Sequence, residues 1–270
     1  MKYLKNFLFV IFLSSFICVQ TPKFDIIKFS KNFVTVKSGL LFCKYETSNR
    51  DYLFFLEDLK IKKKFDDYNK MYPDTLVWKR VDLGRPLIGL YFKSPSYYNY
   101  PVVGVSFDNA IAYCEWLTEK YNRNPNKKFK KVKFCLPENE EWVFAANAGD
   151  TSRIYAWDGP HLRNKKGNFM ANFKLTEQNN EVIQTESEKT VFVNYLQKKM
   201  ITSPVNSYYP GSFGLCNMCG NVSEMIAQYG FSKGGGFDDS PNALQINNLN
   251  KYANPEYNVG FRVAMRIIEK

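Results

Sequence analysis

The stretch PVNSYYPGSFGLCNMCGNVSEMIAQYGFSKGGGF, Pro204–Phe237, limits what this chain can fold into more than any other. Proline, glycine and asparagine recur every few residues, which leaves no room for a long helix or strand. Yet Phe213, Leu215, Met218, Val222, Met225 and Ile226 lie among them, and such side chains need burial. The stretch is therefore expected to be ordered, loop-rich core, holding a metal, a nucleophile or only its own shape.

The rest of the chain can supply that core. Its 270 residues are 45% hydrophobic and 17% aromatic, which excludes a disordered protein. The net charge of +11 comes with lysine clusters at Lys60–Lys64 and Lys127–Lys133, each beside a helical pattern. These read as solvated faces, and no aromatic-basic nucleic-acid module accompanies them, so nucleic acid is not an expected partner.

The start, Met1-Lys2-Tyr3-Leu4-Lys5, is basic and leads into the apolar run Phe7–Val19. That pattern fits an export signal over residues 1–20 and is short for a membrane span. Cys18 stands where a lipid-bearing cysteine would, although Ile17 precedes it. A soluble exported product, a lipid-anchored one and an uncleaved anchor all fit.

The remaining cysteines, 43, 114, 135, 216 and 219, are an odd, scattered set and no disulfide framework. Bridges between Cys114 and Cys135, or Cys216 and Cys219, stay open. Cys216-Asn-Met-Cys219 lacks a second pair, and His161 is the single histidine, so a zinc site is short of ligands.

Along the chain, residues 21–35 are expected as a linker and 23–45 as loosely alternating short strands. Thr47-Ser48 caps a helix to about Leu59, with Tyr52, Phe55, Leu56 and Leu59 at helical spacing. Residues 65–104 are proline-punctuated and predict a wrapping segment with one edge strand. Ser106 opens the clearest helix, Phe107–Tyr121. A second, about Glu138–Asn147, follows Pro137, with Glu138, Glu140 and Glu141 serving its dipole and Gly149 ending it. Residues 174–200 read as a polar insertion with a helix near Val191–Met200, and Val259–Ile267 as one closing strand. Few helices and many short strands give one α+β domain over 36–270.

The order of PVVGVSFDNAIAYCEWL, CLPENEEWVFAANAG, YAWDG, MANF, SPVNSYYPGSFGLCNMCGNVSEM, KGGGF and VGFRVAM resembles the formylglycine-generating-enzyme (sulfatase-modifying factor) family. The resemblance covers residues 36–268. It implies a large, irregular C-type-lectin-like fold with little regular secondary structure. MYPDTLVWKR, YFKSPSYYNYPVVGVS and GPHLRNKKGNFMANFK resemble the branch found in Bacteroidota gliding-motility and type IX secretion lipoproteins. That branch implies an exported component of an envelope machine, in the periplasm or at the outer membrane, attached through a lipid on Cys18 where one is present.

The resemblance also locates the family's chemistry. Two cysteines soon after the RGGS-type motif hold copper, as soft ligands suited to Cu(I). Here Asp239 and Leu244 stand at those positions and Gly236 replaces the serine, so copper is not expected and the site is read as degenerate. The family's calcium loop matches at Asn217, Gly220, Val222 and Glu224, an all-oxygen set suited to a hard cation. A second family calcium site would begin at Asn172 and Phe173, but its later aspartate has no clear counterpart. Ser223 replaces the family's tryptophan. The reading is a non-catalytic exported scaffold acting through protein–protein contacts, with structural calcium. An oxidoreductase of altered metal chemistry through Cys216 and Cys219 is the alternative, and a lectin-type binding module a weaker one.

Overall fold

The computed structural model describes residues 23–81, 84–175 and 201–270. The export signal with Cys18 lies outside them. So does nearly all of the 174–200 insertion, including the helix expected near Val191–Met200.

Short helices and strands alternate from the start. Helix α1 (Ile26–Ser30) is capped by Asp25, whose Oδ1 accepts from the Ile27 and Lys28 amides at 3.0 Å. It leads into hairpin β1 (Phe33–Lys37) and β2 (Leu40–Cys43). The 21–35 linker is therefore corrected. Ile26, Phe29 and Phe33 are buried, and apolar side chains at that density dock rather than stay in solvent.

Helix α2 (Asn49–Ile61) starts as expected, with Ser48 Oγ accepting from the Asp51 amide at 3.2 Å. Among the described residues of 65–104 there is no strand. They form α3 (Phe65–Met71), a 3-10 turn at Thr75–Arg80, α4 (Leu87–Leu90) and a 3-10 turn at Pro95–Tyr97. Asp74 and Ser94 cap the two turns and divert the chain from an extended path. Helix α5 (Phe107–Asn122) is capped by Ser106, and its apolar face packs with α2 over β3 (Lys131–Cys135). Helix α6 (Asn139–Asn147) ends with Ala148 itself in the left-handed region, one residue before Gly149. Glu141 serves more than the helix dipole: it accepts from the Glu138 amide at 2.9 Å and pairs with Arg266.

The expected closing strand is two strands. Within Pro204–Phe237 lie β4 (Ser223–Met225) and β5 (Phe231–Lys233); β6 (Asn250–Lys251), β7 (Val259–Phe261) and β8 (Ala264–Glu269) follow. Strand β7 runs parallel to β4 in the sheet β6-β5-β4-β7, while β8 runs antiparallel between β2 and β3 in the sheet β1-β2-β8-β3. The chain therefore changes sheets at Arg262 and Val263. One buried body lies between the first sheet and α2 and α5. A second gathers around Trp142, Phe42 and Leu244, and a third around Trp78, Tyr91 and Phe237. This is one mixed α+β domain. Among the described residues, no helix is long and apolar enough to cross a membrane.

Candidate functional site

The residues expected to form a degenerate site, Gly236, Asp239 and Leu244, follow β5. Asp239 Oδ2 accepts from the Gly236 amide at 2.7 Å and from Asn258 Nδ2 at 3.3 Å, closing a tight turn. Burial raises the Asp239 pKa above the usual carboxylate range. Leu244 is fully buried in the cluster around Trp142. A Cβ at Gly236 would lie 2.7 Å from the Asn258 carbonyl oxygen, so the turn leaves no room for the serine that the resemblance implies at this position. Next door, Asp238 pairs with Lys174 at 3.0 Å and accepts from the Tyr257 hydroxyl at 2.8 Å. An aspartate held by amides and a leucine in the core cannot form a bis-thiolate copper site.

Cys216 and Cys219 do not restore one. Both are buried free thiols, and burial pushes the Cys219 thiol up to about 12 and raises that of Cys216. The thiolate is the form that binds metal or attacks. Cys219 Sγ instead accepts from the Ala156 amide at 3.4 Å. Cys114 and Cys135 are likewise free. Among the described residues, no three His, Cys, Asp or Glu side chains converge as metal ligands.

At the expected calcium loop the anionic member is taken. Glu224 is fully buried, and Arg262 grips it through Nε at 3.0 and 3.1 Å and Nη2 at 2.6 Å. Trp142 Nε1 donates to its other side at 2.8 Å. With both oxygens occupied by a buried cation and an indole, Glu224 does not fit a calcium cradle with Asn217, Gly220 and Val222. The carboxylate that does face Asn217 is Glu46, just beyond β2. It accepts from Asn217 Nδ2 at 2.9 Å, Asn221 Nδ2 at 2.9 and 3.0 Å, and the Val222 amide at 3.3 Å. Burial, with the Glu224 charge adding to it, pushes Glu46 up to about 8.

The Oδ1 atoms of Asn217 and Asn172 are buried with no partner among the described residues. Asn172 Nδ2 donates to the Ile201 carbonyl at 2.8 Å, and its own carbonyl accepts from the Asn221 amide at 2.8 Å. Phe173 is buried in the Trp142 cluster, against Phe169. A cation at this place would meet Glu46 rather than Glu224, and would have to displace the Asn217, Asn221 and Val222 amides that donate to both of its oxygens.

Arg262 is a residue whose role the sequence pattern alone does not mark. Besides Glu224 it donates from Nη1 to the Cys43 carbonyl at 3.0 Å and from Nη2 to the Cys216 carbonyl at 2.6 Å. One guanidinium thus joins β2, the glycine-rich loop and β4. Its signal was the Arg in VGFRVAM, visible as a motif letter without a partner. Glu46 had no signal, since a lone glutamate after a strand reads as solvated.

Known proteins share this frame. The chain is similar to the formylglycine-generating enzyme of Thermomonospora curvata, 25% identical over 214 residues, 71% of this chain and 60% of that protein. It is also similar to that of Streptomyces coelicolor, 30% identical over 131 residues, 48% and 33%. A Bos taurus protein named inactive C-alpha-formylglycine-generating enzyme 2 is 27% identical over 129 residues, 47% and 33%. The matches thus span no more than 60% of the length of these relatives. Treponema denticola variable protein 1 superposes with a TM-score of 0.54 at 16% identity, over 84% of both chains. CarF does so with 0.52 at 20% identity, over 85% of this chain and 87% of its own. These two likenesses show the fold. The model of the sulfatase-modifying factor enzyme 1-like domain matches residues 28–267, from α1 to β8, and the chain belongs to that family.

Proposed function

We propose that this protein is a non-catalytic family member, exported and acting as a scaffold through protein–protein contacts in the cell envelope. The observation that carries the loss of chemistry is the pair Asp239 and Leu244, one built into a turn and the other into the core. A relative named inactive fits the same reading. The envelope setting is supported by the basic-apolar start, and the gliding or type IX secretion setting by the segments that resemble that branch. The test incubates the purified protein with copper, oxygen and a Cys-x-Pro-x-Arg peptide. The expected mass spectrum shows no aldehyde above the no-protein control; oxygen-dependent conversion of the cysteine would overturn the proposal. Crosslinking in envelope membranes should then recover a secretion or motility component, and recovery of none would sink the scaffold part.

Structural calcium belongs to the same proposal, with Glu46 in place of Glu224. What supports it is the buried Asn217 Oδ1, which has no partner among the described residues, on the same amide whose Nδ2 donates to Glu46. A ligand at about 100 times its Kd adds about 2.7 kcal/mol to the folded state. Calcium should raise the melting temperature of the wild type, and Glu46→Gln should abolish that rise. A melting curve indifferent to calcium and to chelator removes the site.

A further inference from the structure

Lys233, at the end of β5, is the buried charge that the foregoing leaves unused. Its residue is 1% exposed, yet among the described residues its ammonium makes no hydrogen bond or ion pair; it stands 5.7 Å from the Trp142 ring centroid. Other buried ionisable groups are provided for: Arg262 by Glu224, and Glu46 by amides. Burial disfavours the charged form of this amine, and an anion reaching it through the cavity would offset that.

Lys233 lines a cavity of about 530 Å³ over α6, within the range of small-molecule sites. Lys37 lines the same cavity, its Nζ 3.9 Å from the Phe144 ring centroid. The carboxylate in the lining is Glu140, which accepts from Asn139 Nδ2 at 3.2 Å and makes no ion pair with Lys233. Val143, Phe144 and Leu249 supply an apolar wall. Two ammonium groups against one engaged carboxylate leave the cavity positive, beside a surface that suits a short aliphatic group.

We propose that this cavity binds a carboxylate carried on a small apolar group, with Lys233 as its counter-ion. The inference does not depend on the scaffold reading or on calcium. Burial lowers the Lys233 pKa to about 8, which leaves the amine mostly charged at neutral pH and ready for an anion. A free aliphatic acid and a peptide carboxy terminus share this chemistry.

The test titrates the full chain calorimetrically at neutral pH and low salt with isovalerate, with Ala-Ala-Leu, and with Ala-Ala-Leu-amide. At least one acid should bind, and the amide should bind about tenfold or more weakly, as expected for losing a charged hydrogen bond. Isovalerate binding as well as the tripeptide points to a free acid; preference for the tripeptide points to a peptide end. Lys233→Met, of similar length and without the charge, should keep the native circular dichroism and weaken binding about tenfold. Lys233→Arg serves as the charged control and should retain binding if Lys233→Met fails to fold. Binding of neither acid, equal binding of the amide, or unchanged binding by Lys233→Met would overturn the proposal.

Discussion

Replacing Arg262 with methionine should cost about 3–5 kcal/mol. The guanidinium and the Glu224 carboxylate are both fully buried, 0% exposed on each side. Removing one charge leaves the other without compensation in a medium that cannot solvate it. The same change strands the carbonyls of Cys43 and Cys216, at about 1–3 kcal/mol for each acceptor left unsatisfied. These terms overlap, because the loop can relax towards water once the cation is gone. A small domain holds only about 5–15 kcal/mol in total, so the variant should sit near its folding threshold.

Urea unfolding of the wild type, Arg262→Met, Glu224→Gln and the double variant measures this as a cycle. The double variant should cost clearly less than the sum of the singles, because each single leaves a partner stranded and the double leaves none charged. A loss below about 1 kcal/mol for Arg262→Met would mean that the pair is a surface-like contact. It would also undo the picture of Arg262 as the tether between the two sheets.

That tether marks the limit of what the sequence discloses. Helices α2 and α5 were legible because Ser48 and Ser106 announce their starts and the apolar spacing keeps to one face. The expectation for Gly236, Asp239 and Leu244 rests on motif order alone, which assigns residues to positions without any contact between them. What escaped was whatever depends on residues far apart. Val259–Ile267 looks like one strand, since nothing in its pattern marks the switch between sheets at Arg262. Glu46 and Asn221, 175 positions apart, meet only after the glycine-rich loop closes on β2. The error over 65–104 has another cause: Asp74 and Ser94 side chains satisfy backbone amides locally, so an apparently extended segment folds into short turns. Glu224 shows the same limit at the candidate site. Its place in the loop fits a cation ligand, and only the three-dimensional neighbour Arg262 shows that its charge is already answered.

Gly220→Ala should cost about 3–5 kcal/mol, and the reason lies in the same loop. Gly220 has φ of +85°, a conformation that costs a residue with a Cβ about 1–2 kcal/mol. The added carbon would also lie 2.5 Å from the Asn172 carbonyl oxygen and 3.0 Å from Ala171 Cβ. Neither neighbour is free to yield, because that carbonyl accepts from the Asn221 amide at 2.8 Å, while Gly220 donates its own amide to the Gly234 carbonyl at 2.8 Å. Forcing atoms into such a space adds about 1–3 kcal/mol. Gly214→Ala isolates the backbone part: its φ is +77°, and nothing lies within 4 Å of the added carbon. Gly214→Ala should therefore cost about 1–2 kcal/mol in the same urea experiment, with Gly220→Ala exceeding it by about 2. Equal losses would show that the close approach to Asn172 is not real. In that event the buried lattice of Asn172, Asn217, Asn221 and Glu46, which rests on that approach, would have to be rebuilt on another contact.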